Sequence, residues 1–283
     1  MGLFDAYRFE GKRALVVGGA TGMGAAAAEV LVDAGAEVVV MDRVEASLPG
    51  TTFIQVDLAD AASIEAAVEQ CGGPVHAHLA CAGVADGTPG IERINFLGHR
   101  HMIDRMLAAD MLPRGSAIGF ISSAAGMGWE SALPWLEEYL AITDIDEASR
   151  WAVDNGQAHY MASKQAICAY VAREAMGMLR RGIRINAIMP GPTDTPLAQA
   201  NADLWLTFAA DYREEVGVEP STPLEQAYAL VFLCSDAAFA INGMTIISDG
   251  GYYSSGLSGS FPNATPVVEF LLGRMDPSAL EGL

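Results

Sequence analysis

Positive charge is scarce in this chain: 16 Lys and Arg stand against 35 Asp and Glu, a formal net charge of −19 over 283 residues. Nucleic acids and anionic membrane surfaces are recognised through clustered basic side chains, so neither is expected as a partner. Long apolar runs are missing as well. No stretch approaches the roughly 20 apolar residues of a membrane span, and Asp5, Arg8, Glu10, Lys12 and Arg13 crowd the amino terminus too closely for a secretory signal. Cysteine is sparse, and Cys71, Cys81, Cys168 and Cys234 lack metal-ligand spacing. They read as reduced thiols in or near the core of a cytoplasmic protein. His76 with His78, and His99 with His101, lack convergent acidic or cysteine partners, so no metal site is expected. There is no internal repeat, low-complexity tract or linker. The 51% hydrophobic content that remains is enough for the large core of one soluble α/β domain spanning 1–283.

Two motifs carry the chemistry. Gly18-Gly19-Ala20-Thr21-Gly22-Met23-Gly24 follows the apolar run Arg13–Val17 and precedes Ala25–Leu31, a strong helix former. Strand, glycine turn and helix together form a pyrophosphate cradle, in which close backbone approach, free amides and the helix dipole all favour the anion. The next strand, Glu37–Met41, ends on Asp42, 18 residues beyond Gly24 (42 − 24). A carboxylate there can accept the ribose hydroxyls of an adenosine and repel a 2′-phosphate. The neighbouring Arg43 works against that repulsion. The second motif is Tyr160-Met161-Ala162-Ser163-Lys164. Residues four apart share a helix face, so an ammonium can lie near a phenol and favour its ionised form.

Between and beyond the motifs, strand and helix signals alternate. Strands are expected at Thr52–Val56, Val75–Leu79, Ser116–Ile121, Ile183–Ile188 and Thr245–Ser248, with helices near 63–70, 91–108 and 160–179. The pattern is that of a three-layer, doubly wound parallel sheet.

Together these residues resemble the short-chain dehydrogenase/reductase family, over nearly the whole length from Gly18 to Gly251. The resemblance implies a Rossmann fold, a nicotinamide dinucleotide (here NAD, by Asp42) and interconversion of an alcohol and a ketone. It places the cofactor against Gly18, Thr21, Gly22, Met23, Asp42, Asp57 and Leu58, the turn residues Ala82 and Gly83, and Pro190, Gly191, Thr193 and Thr195. Thr195 would hold the nicotinamide carboxamide. Tyr160 would be the acid/base, Ser123 the hydrogen-bond donor to the substrate oxygen, Lys164 the partner of both phenol and ribose, and Asn95 the holder of a relay water. Ser122 would face away in an extended segment, and His159 would sit at the surface or pocket edge. Ala80-Cys81-Ala82-Gly83 departs from the family's Asn-Asn-Ala-Gly, so the asparagine bracing of that turn is lost. A member that has lost catalysis would usually lack Tyr, Lys or Ser, and all three are present. A sugar-nucleotide epimerase or dehydratase would typically carry a separate substrate domain.

Tyr160 lies 37 residues after Ser123 (160 − 123), far more than the family spacing, which marks residues 127–158 as an insertion. Trp135, Leu136, Tyr139 and Leu140 have helical spacing, Ile145, Ala148, Trp151 and Ala152 repeat it, and Asp144 with Glu147 has the form of a capping box. A helical hairpin is therefore expected, beside the substrate pocket and partly shaping it. The insertion, Cys81-Ala82-Gly83 and Thr193–Leu197 resemble the bacterial 3α-hydroxysteroid dehydrogenase/carbonyl reductase subgroup. That implies a hydroxysteroid or another bulky apolar alcohol or ketone. Residues 196–220, with Leu197, Leu204, Trp205, Leu206, Phe208 and Tyr212, are expected to form an apolar lid. The tail at 252–283 would cover the pocket or a neighbouring subunit, or simply pack on its own subunit. Because the hairpin would obstruct the face around the Tyr160 helix, a homodimer through the carboxy-terminal elements is expected.

Overall fold

A computed structural model describes residues 2–275. Seven strands form one parallel sheet in the order β3-β2-β1-β4-β5-β6-β7. They are β1 (Arg13–Val17), β2 (Glu37–Asp42), β3 (Thr51–Gln55), β4 (Ala77–Ala80), β5 (Ala117–Ile121), β6 (Arg184–Pro190) and β7 (Thr245–Ser248). The inner strands β1, β4, β5 and β6 are almost wholly buried, which is why they read as continuous apolar runs rather than as alternations.

Helices cover both faces. On one face α1 (Gly22–Asp33) and α10 (Pro223–Cys234) pack together over the sheet, with Ala27, Ala28, Leu31, Ala227 and Leu230 excluded from solvent. On the other face, α2 (Ala61–Cys71), α3 (Gly98–Ala108) and α6 (Tyr160–Arg181) bury Ile64, Met102 and Ile167 against it. The strand order reverses between β1 and β4, and at such a switch point the loops on either side part to leave a crevice at the strands' carboxyl ends. This is a Rossmann-type doubly wound fold.

The helix expected over 91–108 contains a π-helical turn, Arg93–Leu97, that places Asn95 inside the protein. Such turns are frequent at functional sites. The insertion forms α4 (Leu133–Ala141) and α5 (Ile145–Asp154). Asp144 caps α5 by accepting from the amides of Asp146 and Glu147. The full reciprocal box is made instead at Thr222 and Glu225, where α10 begins. The hairpin buries its apolar face within its own subunit, with Leu136, Tyr139, Ile145 and Ala148 joining Phe96 and Tyr170 in one cluster. Trp135, Tyr139 and Trp151 stack on one another at centroid distances of 5.4–6.4 Å. A polar clip adds to this: Arg93 donates to Ser149 Oγ and pairs with Asp146, while Ser149 donates to Glu92.

The carboxy-terminal segment carries α11 (Tyr252–Ser258) and α12 (Thr265–Leu271). Tyr252, Phe261, Ala264 and Val268 pack with Tyr212, so the tail lies on its own subunit's lid segment. That segment contains α7 (Pro196–Gln199), α8 (Ala202–Trp205) and α9 (Ala210–Val216). The part of the expected tail at 276–283 lies outside the described residues. Among those described, no helix is long and apolar enough to cross a membrane.

Candidate active site

The crevice at the switch point is a cleft of about 230 Å³ running from the glycine loop to the end of β2. Its shape depends on missing side chains. Gly18 has φ +85°, and a Cβ there would sit 2.3 Å from the Ala82 amide nitrogen. A Cβ on Gly24 would lie 2.1 Å from the Gly18 carbonyl oxygen. Loop, turn and helix thus pack backbone to backbone, which only glycine permits. Thr21 places no side chain on the first-turn amides of α1, so these amides remain available at the cleft wall. At the far end, Asp42 accepts from the amides of Ala20 (3.0 Å) and Val44 (3.1 Å), which fixes its carboxylate on the rim. Asp57 accepts from the amide of Ala59 while lining the same cleft with Leu58, Ala82, Gly83 and Thr195. Arg43 also reaches the lining. A narrow wall of uncapped amides ending on a carboxylate suits a pyrophosphate and an adenosine ribose.

The lost asparagines of the 80–83 turn are replaced from elsewhere. The His99 ring nitrogen Nε2 lies 3.1 Å from the Ala82 carbonyl oxygen. Asn95 clamps the next residue on both sides: its Oδ1 accepts from the Val84 amide (2.7 Å) and its Nδ2 donates to the Val84 carbonyl (3.1 Å) and to Ser163 Oγ (3.1 Å). The Asn95 side chain is therefore a brace for the turn, with both of its hydrogens committed.

Beyond Thr195 the cleft opens into a second cavity of about 410 Å³, and Met23, Cys81, Gly83, Thr195 and Leu197 line both spaces. Ser123, Tyr160, Lys164, Pro190, Gly191 and Thr193 meet here. Ser123 sits just after β5 and caps a short 3-10 turn, while Tyr160 opens α6. Lys164 is buried, donates to the Ile121 carbonyl (3.0 Å) and lies 5.4 Å from the centre of the Tyr160 ring. Burial holds its pKa down to about 8. Desolvation pushes the Tyr160 phenol above its ordinary value; the facing Ser123 hydroxyl opposes that shift and the Asp86 carboxylate adds to it. Without the cofactor, burial of the phenol is the largest influence on it. The ammonium stands over the ring face, anchored on a carbonyl, and desolvation dominates.

Ser122 points away from the cavity centre, donating to the Lys164 carbonyl and touching Cys168 Sγ. His159 accepts from the Ala162 amide at Nδ1 and so caps α6, a role its position beside Tyr160 concealed. No group of three or more His, Cys, Asp or Glu suited to a metal occurs among the described residues.

The lid covers the cavity with Leu197, Leu204, Trp205 and Phe208, and Trp205 lies 5.0 Å from the Tyr160 ring. Leu206 and Tyr212 do not take part. Tyr212 faces the tail cluster and donates to the Gly250 carbonyl. The hairpin at 127–158 contributes nothing to the lining of either cavity, because its apolar face is used up against α6 and the π turn. Leu271, from α12, reaches the cavity in its place. Sequence spacing carries no sign of that contact, nor of Asp86, whose carboxylate accepts from the Tyr160 amide at 2.5 Å.

A glycine-loop cleft that opens onto half-buried Ser123 and Tyr160 and a buried Lys164 is the arrangement of an oxidoreductase. The family model described as enoyl-(acyl carrier protein) reductase matches residues 18–253. Coniferyl-alcohol dehydrogenase of Pseudomonas sp. (strain HR199 / DSM 7063) is 29% identical over 255 residues, 86% of this chain and 97% of that one. The 3-alpha-hydroxysteroid dehydrogenase/carbonyl reductase of Comamonas testosteroni is 29% identical over 257 residues, 84% and 95% of the two chains. The crystal structure of the 3-alpha-hydroxysteroid dehydrogenase from Pseudomonas sp. B-0831 complexed with NADH superposes with a TM-score of 0.70 at 29% identity, covering 88% of this chain and 99% of that one. The chain belongs to the short-chain dehydrogenase/reductase family. It is an oxidoreductase of the type that acts on alcohols and carbonyls with a nicotinamide cofactor.

Proposed function

We propose that the protein is an NAD-dependent enzyme that interconverts a secondary alcohol and a ketone on a bulky, apolar substrate, with a hydroxysteroid as the leading candidate. The observation that carries this reading is the convergence of Ser123, Tyr160 and Lys164 in a cavity lidded by Leu204, Trp205 and Phe208 and continuous with the dinucleotide cleft. Its volume of about 410 Å³ lies in the usual range for small-molecule sites.

A bound nicotinamide supplies or accepts the hydride. Gly18, Thr21, Gly22 and Met23 would hold the pyrophosphate, Asp42 the ribose, Asp57 and Leu58 the adenine, and Ala82, Gly83, Pro190, Gly191, Thr193 and Thr195 the nicotinamide half. Tyr160 moves the proton at the substrate oxygen. Ser123 donates a hydrogen bond to that oxygen as charge develops on it. Lys164 would hold the nicotinamide ribose and keeps a positive charge over the face of the Tyr160 ring. The π turn fixed by Asn95 would hold the water that connects Lys164 to solvent.

The NAD preference is read from Asp42, whose carboxylate is held on the cleft rim by the Ala20 and Val44 amides and would repel a 2′-phosphate brought there. The test is a comparison of kcat/KM with NAD(H) and NADP(H) across steroid, aromatic and monoterpene alcohol/ketone pairs. NAD(H) is expected to be preferred, and Asp42→Ala should narrow the preference. A preference for NADP(H) in the unaltered protein would refute the coenzyme assignment, and no turnover of any pair would refute the reaction.

A further inference from the structure

The wall of the larger cavity is almost wholly apolar or neutral, and its two charged side chains are Lys164 and Asp86. Lys164 is buried and donates to the Ile121 carbonyl. Asp86, by contrast, is open to solvent at the mouth, on the loop that follows β4. One of its oxygens accepts from the backbone amide of Tyr160, the first residue of α6. Its other oxygen makes no hydrogen bond among the described residues, and Asp86 forms no ion pair among them. The carboxylate is therefore tethered to the start of α6, lines the cavity, and keeps one oxygen without a hydrogen bond among the described residues. Its charge is felt at the reacting end, since it helps to raise the Tyr160 phenol.

We propose that Asp86 determines specificity by charge: it admits uncharged substrates, favours those carrying a second hydroxyl that can donate to its free oxygen, and turns away substrates carrying a carboxylate. This rests on the reading of the cavity as the substrate site. A substrate carboxylate brought beside this fixed carboxylate at the solvent-open mouth, where the buried Lys164 is the one cation among the described lining residues, meets a repulsion that salt screens. A hydroxyl donor in the same place gains a charge-assisted hydrogen bond.

Phenol and benzoate are matched probes, similar in shape and opposite in this respect. Titrated into the protein with NADH present, phenol should bind at least about tenfold more tightly than benzoate, and the gap should shrink as added salt screens the mouth. Asp86→Asn keeps an oxygen to accept from the Tyr160 amide and removes the charge. It should bring the two probes to within about threefold, while melting temperature and NADH affinity stay unchanged. Asp86→Ala removes the charge and the acceptor together, and its probe ratio should match. Equal binding of the two probes by the unaltered protein, or a preference that survives both substitutions, would overturn the proposal. Failure of every alcohol/ketone pair to turn over would instead overturn the reaction assigned above, because charge selection at the cavity mouth is read from binding alone.

Discussion

His78 lies fully buried in β4, with neither ring nitrogen hydrogen-bonded among the described residues. The equally buried His99 stands close enough to disfavour a charge on His78, as Lys164 does for His99. Burial holds their pKa values down, to about 3 and about 4, against an ordinary 6.5. As pH falls below 6.5 the unfolded chain takes up protons that the folded chain refuses, so stability drops through that window towards pH 4. Thermal melts should show a plateau near neutrality and a decline between pH 6.5 and 5, before the carboxylates titrate. His78→Leu should flatten that decline, and an unchanged slope would contradict it. The roles of these histidines could not be read from the sequence. Spacing there showed only that they lacked metal partners, whereas His99 supports the Ala82 carbonyl from a helix 17 residues away. Ser123, Tyr160 and Lys164 were legible because their neighbours lie in the same short segments. Asp86 and Leu271 were not, because only the folded chain brings them to the cavity.

At the scale of elements, period and flanking turns revealed all seven strands, with ends displaced by a residue or two. The π turn at Arg93–Leu97 gave no sign, since a helix that gains one residue in a turn keeps its apolar periodicity on either side. The hairpin was legible as two amphipathic helices, but its placement was not. The same apolar face would suit a pocket wall, a partner subunit or its own core, and the structure selects the core. Leu136→Ala should therefore destabilise the protein by about 2–5 kcal/mol, the usual cost of emptying a buried leucine site. Denaturant titration measures that loss. KM for the substrate should not change at temperatures where the variant stays folded, and a large rise in KM would show that the hairpin reaches the site after all.

For the whole molecule, the apolar surface left exposed bears on assembly. Phe239 is 82% exposed and Tyr228, on α10, is 57% exposed; Leu224 and Met244 lie on the same α10 and β7 side. Met176 and Leu179 are exposed on α6, whose neighbouring surface carries the hairpin helix α4. We propose a two-fold homodimer through α10 and β7, closed symmetry being the commonest outcome for such a patch. Light scattering should give a dimer, and Tyr228→Glu combined with Phe239→Glu should give monomers. A tetramer that pairs the α6 helices would contradict this.

In the proposed reaction the phenol of Tyr160 moves the proton while the rest of the site holds the cofactor. Tyr160→Phe removes one oxygen and leaves the aromatic ring, Lys164 and the glycine cradle in place. The decisive measurement pairs steady-state turnover of the best alcohol/ketone pair with NADH titration of the same variant. Turnover should be abolished while NADH binds as in the unaltered protein; retained turnover within about tenfold would refute the role of the Tyr160 phenol.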